Sequence, residues 1–108
     1  MRSCLKTDVR LVRKGWARLD GGETSVWVRG QAHLGNEYLD AKALAERFAK
    51  VALDGAVGGL DELTSSLNGN WAAVVKSGEW VYLATDHLRS IQILYRVEGE
   101  VFHVFDDM

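Results

Sequence analysis

The chain has 108 residues, 47% of them hydrophobic and 26% charged, with a formal net charge of −2 at pH 7. That length allows one small domain with one core, and the composition is that of a globular protein, which excludes the disordered and fibrous classes. No run approaches the roughly 18 consecutive apolar residues of a membrane helix, and the start, MRSCLKTDVR, lacks the apolar segment of a secretory signal. No membrane association and a cytoplasmic location are therefore expected.

Charge is unevenly spread. Residues 1–18 hold six basic side chains, Arg2, Lys6, Arg10, Arg13, Lys14 and Arg18, against Asp8 alone, which leaves seven basic and fourteen acidic residues for the remainder. Such an arm can bind nucleic acid, but the solvated basic face of a strand explains it equally well. No aromatic-rich basic groove accompanies it, so nucleic acid is not the expected partner.

Cys4 is the single cysteine and cannot form an internal disulfide. A zinc site would have to be assembled from carboxylates and three scattered histidines, His33, His87 and His103, and His33 and His103 lie on predicted strands without a second ligand at i+2 or i+4 apart from strays such as Asp40. Neither a metal nor another cofactor is expected.

In chain order, the first predicted element is a hairpin. VRLVRKGWARL (9–19) and TSVWVRGQAHL (24–34) flank DGGE, whose paired glycines suit a turn that needs positive φ. In the second strand Val26, Val28, Gly30, Ala32 and Leu34 alternate with Trp27, Arg29, Gln31 and His33, a period of two with one strongly apolar face. Gly30 interrupts that face and invites close backbone approach.

A helix is predicted over DAKALAERFAKVAL (40–53), where Asp40 can cap the first turn and Leu44, Ala45, Phe48, Val51 and Ala52 share one side. Glycines at 55, 58 and 59 end it, and Leu60, Leu63 and Leu67 in GLDELTSSL mark a short second helix.

Four strands follow: NWAAVVKS (70–77), EWVYLATD (79–86), IQILYRV (91–97) and EVFHVFD (100–106). The SG and EGE breaks predict tight hairpins. The first two strands are apolar at odd and even positions alike, so both faces must be covered and a layered α+β arrangement is expected. Asp106 and Asp107, beside Met108, read as a solvated end or as the point where a longer chain would continue. The organisation expected is one domain over 1–108: a basic strand region at 1–20, a strand and helix over 24–54, and antiparallel strands over 67–106 with a DHLRS turn.

That last region, LNGNWAAVVKSGEWVYLATDHLRSIQILYRVEGEVFHVFDD, resembles the amidotransferase domain of asparagine synthetases and asparagine-synthase-like proteins, the class II, N-terminal-nucleophile type. In that family a "leucine, any, Gly, any, Phe-Ala" segment opens a strand, and a second strand runs into "Arg-Asp-Arg/His, any, Gly, any, any, Pro-Leu-Tyr-Tyr". Leu67, Gly69, Trp71 and Ala72 match the first, and Asp86, His87, Leu88, Ile91, Leu94 and Tyr95 the second. Arg89-Ser90 fits a subgroup of asparagine-synthase-like proteins. The resemblance covers about 45 residues by motif and another 25 or so by order and spacing, and residues 1–20 match nothing in it.

The resemblance implies part of a four-layer αββα sandwich with antiparallel sheets and one or two helices. It also implies a test of the chemistry. Family members hydrolyse glutamine with a cysteine exposed at position 1, whose own α-amino group activates the thiol. Here Met1 is followed by Arg2 and Ser3, so Cys4 is only a remote candidate nucleophile. The family's oxyanion hole comes from "Asn-Gly-Glu", where this chain has Arg29-Gly30-Gln31, and no "Ser-Gly-Gly, any, Asp-Ser" pyrophosphate loop is present.

A degenerate, noncatalytic amidotransferase-like domain is therefore expected, with no catalytic residue of its own. It would act as scaffold or partner subunit for a separate ATP-dependent synthetase or ligase of a biosynthetic pathway, or as a homo-oligomer. Relatives carry further strands beyond FHVFDD, so the sandwich is expected to be incomplete. Arg29, Gly30, Asp86, His87, Arg89 and Ser90 are the binding or interface residues. Asp86, if buried, needs a partner, with backbone amides, His87 and Arg89 as candidates. Two alternatives stand beside this reading: a glutamine-hydrolysing enzyme using Cys4 after processing, and a small homodimeric module binding a ligand through Arg29, Trp27 and His33.

Overall fold

The computed structural model describes residues 6–53, 57–78, 80–86, 91 and 93–106. The fold is α+β, mostly sheet, with two helices. Its elements are β1 (Lys6–Arg10), β2 (Ala17–Gly21), β3 (Thr24–Leu34), β4 (Glu37–Leu39), α1 (Ala41–Leu53), α2 (Val57–Ser66), β5 (Leu67–Ser77), β6 (Trp80–Thr85), β7 (Leu94–Glu98) and β8 (Val101–Phe105).

A five-stranded antiparallel sheet has the order β2-β3-β5-β6, with β4 also on β3, and a three-stranded sheet has the order β1-β8-β7. In the smaller sheet β7 and β8 are antiparallel but β1 and β8 run parallel, so the two ends of the chain meet there. The sheets are antiparallel, as expected, except at the parallel β1–β8 pair.

The two-sided apolarity of β5 is resolved by layering. One face of the large sheet, with Val26, Val28, Trp71, Ala73 and Val75, packs on Leu44, Phe48, Leu60 and Leu63 of the helices. The other face, with Trp27, Val74, Val81 and Leu83, packs on Val9, Phe102 and Val104 of the small sheet. The layers are thus helices, large sheet, small sheet. Phe48 and Leu44 are fully buried, and each such burial stabilises by about 1.5–3 kcal/mol.

The helices start and stop close to the boundaries their side chains predict. Asp40 Oδ1 accepts the Ala43 amide at 2.9 Å and the Asp40 carbonyl accepts that of Leu44 at 2.8 Å, which starts α1. Arg47 and Glu37 pair at 2.6 Å, tying α1 to β4. Tyr82 on β6 donates its hydroxyl to Asp61 of α2 at 2.7 Å. The β2–β3, β5–β6 and β7–β8 connections are tight hairpins with Gly22, Gly78 and Gly99 at φ near +60°. The strand β4 was not legible, being three residues long and directly before the helix cap.

The predicted single strand over 9–19 is two strands in different sheets. β1 ends at Arg10 and β2 begins at Ala17, and the segment between them wraps around Asp106. That carboxylate is fully buried and accepts the Val12 and Arg13 amides, each at 2.8 Å, and the Trp16 indole N–H at 2.8 Å. Asp106 is therefore not part of a solvated end. It takes the place of a strand partner for this segment. Asp107 and Met108 lie outside the described residues. Among the described residues no helix is long and apolar enough to cross a membrane.

Candidate functional site

Gly30, Trp71 and Asp86 form one row across the large sheet. Gly30 on β3 is in register with Trp71 on β5. Trp71 is in turn held by Asp86, whose Oδ2 accepts the Trp71 amide at 2.9 Å and whose own amide donates to the Trp71 carbonyl at 3.0 Å. The sequence elements that set this row are the end of β6, where the apolar run stops at Asp86, and the glycine that interrupts β3. Asp86 is buried, and the backbone amide expected among its partners is that of Trp71. The other two candidate partners, His87 and Arg89, lie outside the described residues, as do Ser90 and Cys4.

Gly30 has a φ of +99°. A Cβ built there would lie 2.0 Å from the Asn70 carbonyl oxygen and 2.8 Å from Ile91 Cδ1. Gly69, on the opposing strand, is equally crowded, with the Gln31 carbonyl oxygen 2.4 Å from its Cβ position. The close backbone approach read from the glycine is realised, and it is β5 that approaches. At Gly30, β3 also changes neighbours: β2 pairs with Thr24–Val28 and β4 with Ala32–Leu34, while β5 runs along the whole strand.

Arg29 lies next in sequence, half-buried, with its guanidinium Nε 3.3 Å from where a Cβ on Gly15 would stand. It belongs to the same sheet face as Trp27, toward the second sheet, and has no hydrogen-bond or ion-pair partner among the described residues. The three described residues singled out from sequence, Arg29, Gly30 and Asp86, thus fall on adjacent rows, midway along β3 and at the end of β6. The ligand face imagined through Trp27 and His33 is not open: Trp27 is buried between the sheets, and its cationic neighbour is Arg18, 5.0 Å from the ring centroid. His33 is exposed and packs edge-on against Tyr38 at 5.3 Å.

Beneath the row, toward α2, is a cavity of about 180 Å³ lined by Thr64, Ser65, Trp71, Thr85 and Asp86 among others. The Trp71 indole N–H is buried without a hydrogen-bond partner among the described residues, and the ring packs against Phe48 at 5.9 Å. The hydroxyls lining the cavity are already committed: Ser65 and Thr64 donate to the Asp61 carbonyl at 2.7 and 3.1 Å, and Thr85 to the Asp86 carbonyl at 3.2 Å. Among its described lining residues there is neither a histidine nor a cysteine.

A second polar cluster, not anticipated, lies on the outer face of the small sheet. His103 Nδ1 is 3.3 Å from Asp8 Oδ2 and His103 Nε2 is 3.5 Å from Glu98 Oε1. Arg10 pairs with Asp8 at 3.0 Å and Arg96 with Glu98 at 3.4 Å, at the edge of an open groove of about 520 Å³. Asp8 and His103 face each other only because β1 and β8 pair in parallel, a contact across 95 residues that no local spacing announces. No group of three His, Cys, Asp or Glu among the described residues is arranged to hold a metal ion.

Comparison with protein-family models, with curated proteins and with solved structures returned no match.

Proposed function

We propose that the protein is a noncatalytic, amidotransferase-like scaffold, a subunit that serves a separate ATP-dependent, amide-forming synthetase. The observation that carries this reading is the closed geometry at Gly30. Where the resembled family uses an Asn-Gly pair as an open set of donors for a developing oxyanion, here the space over the glycine is filled by the Asn70 carbonyl and the Ile91 side chain. An oxyanion hole needs open donors about 2.7–3.1 Å from the reacting oxygen, and the crowding of the Cβ side of Gly30 by backbone and Ile91 supports reading this glycine as a packing residue.

Asp86 supports the same reading. Its carboxylate holds the Trp71 amide and so serves the sheet. The layering of helices on one sheet and a second sheet beneath it is compatible with part of an αββα sandwich, and the motif likeness of residues 67–106 supplies the family. The role proposed is an interface, without bond-making chemistry in this chain.

The test is reconstitution. The purified chain is mixed with an asparagine-synthetase-like ligase domain stripped of its own amidotransferase domain, and ATP-dependent amide formation is followed with ammonia or glutamine as nitrogen donor. A stable complex that uses ammonia but not glutamine is expected. Glutamine-dependent amide formation, or no association, would contradict the proposal.

A further inference from the structure

The outer edge of β7 is an unusual surface for a small protein. β7 is the last strand of its sheet, and among the described residues nothing pairs with its free edge. Tyr95 and Val97 are 66% and 54% exposed although both belong to the face turned toward Phe102 and Val104. Its five residues, LYRVE, include no proline and no lysine, and the two charges they carry, Arg96 and Glu98, are of opposite sign.

We propose that β7 pairs antiparallel with β7 of a second copy about a two-fold axis at Val97, joining two three-stranded sheets into one of six strands. The argument is charge register. A two-fold axis perpendicular to the sheet places each residue across from its mirror about the axis and keeps side chains on their own face. With the axis at Val97, Arg96 stands opposite Glu98 of the second copy and Glu98 opposite Arg96, two ion pairs from one strand. An axis at Arg96 would oppose two arginines, and one at Glu98 two glutamates. Parallel in-register pairing would stack like on like along the whole edge. The arrangement of one positive and one negative side chain around Val97 thus selects one register and opposes the others.

The apolar face agrees with that register. Val97 meets Val97 of the copy, and Tyr95 falls across from Gly99, where a Cβ would meet nothing within 4 Å, so the ring has space to cover the turn. Arg96 and Glu98 already face each other within one chain at 3.4 Å, both side chains 61% exposed, so little rearrangement is needed to exchange partners. The proposal rests on β7 alone and is independent of the scaffold reading.

The experiment is sedimentation velocity on the full chain over a range of concentrations, for the unmodified protein and for Arg96→Glu, Glu98→Arg and the double exchange. A reversible dimer is expected. Each single reversal sets two like pairs against each other and should weaken dimerisation by roughly tenfold or more, while the double exchange restores it, since the pairs are then opposite again. Circular dichroism and thermal melting check that each variant is folded, which reversals at such exposed positions should leave intact. A chain that stays monomeric throughout, a dimer indifferent to the single reversals, or a double exchange that fails to recover would each overturn the proposal.

Discussion

The indole N–H of Trp16 donates to Asp106 Oδ2 across 2.8 Å, joining residues 90 positions apart in the sequence. The same carboxylate receives the Val12 and Arg13 amides, and Arg13 Nε donates to the Asp106 carbonyl at 3.1 Å. One side chain thereby fixes the segment that crosses from the small sheet to the large one. Arg29 borders this segment at Gly15, so the crossing also sets what lies beside the candidate site.

Replacing Asp106 by Asn is expected to destabilise the fold by about 2–4 kcal/mol, because hydrogen bonds to a charged acceptor are strong and the new amide group would point its hydrogens at existing donors. Urea denaturation of the two proteins checks this, with the midpoint falling and the slope unchanged.

The pH dependence of that difference is also fixed. Burial alone would push the Asp106 pKa up, but the hydrogen bonds from Val12, Arg13 and Trp16 outweigh it and hold the carboxyl below the usual aspartate range. A depressed native pKa contributes stability that is complete above the unfolded value and is lost as pH falls through the native one. The gap between the wild type and Asp106→Asn should therefore narrow as pH falls below the ordinary aspartate range. Denaturation curves at neutral and acid pH measure it.

Gly30→Ala should cost about 3 kcal/mol or more, since it adds a methyl group at a left-handed backbone position against the carbonyl of Asn70. Gly22→Ala, at a turn where nothing lies within 4 Å, carries only the backbone strain of its φ of +59° and should lose less, about 1 kcal/mol. Thermal unfolding of the pair separates crowding from conformation.

Much of this architecture was readable because the signals were local. Asp40 before an amphipathic run, Gly-Gly between apolar strands, and odd-even apolarity in β5 each depend on neighbours a few residues apart. The single strand expected over 9–19 failed because what interrupts it, Asp106, comes from the other end of the chain. The pairing of Asp8 with His103 is hidden for the same reason, its members lying 95 residues apart. At the candidate site, Gly30 and the burial of Asp86 were legible from the glycine in a strand and from the acid ending an apolar run. Trp27 was misplaced because alternation tells which residues share a face, and both faces of this sheet are covered.

The central claim is that Gly30, where the family resemblance would place part of an oxyanion hole, and Asp86, which it would place at an interface, serve the fold. Ammonia release from glutamine by the purified full chain, alongside a Cys4→Ala variant, tests it most directly. The account predicts release no faster than glutamine's spontaneous breakdown, and the same in both proteins. Turnover that disappears with the Cys4 thiol would contradict it.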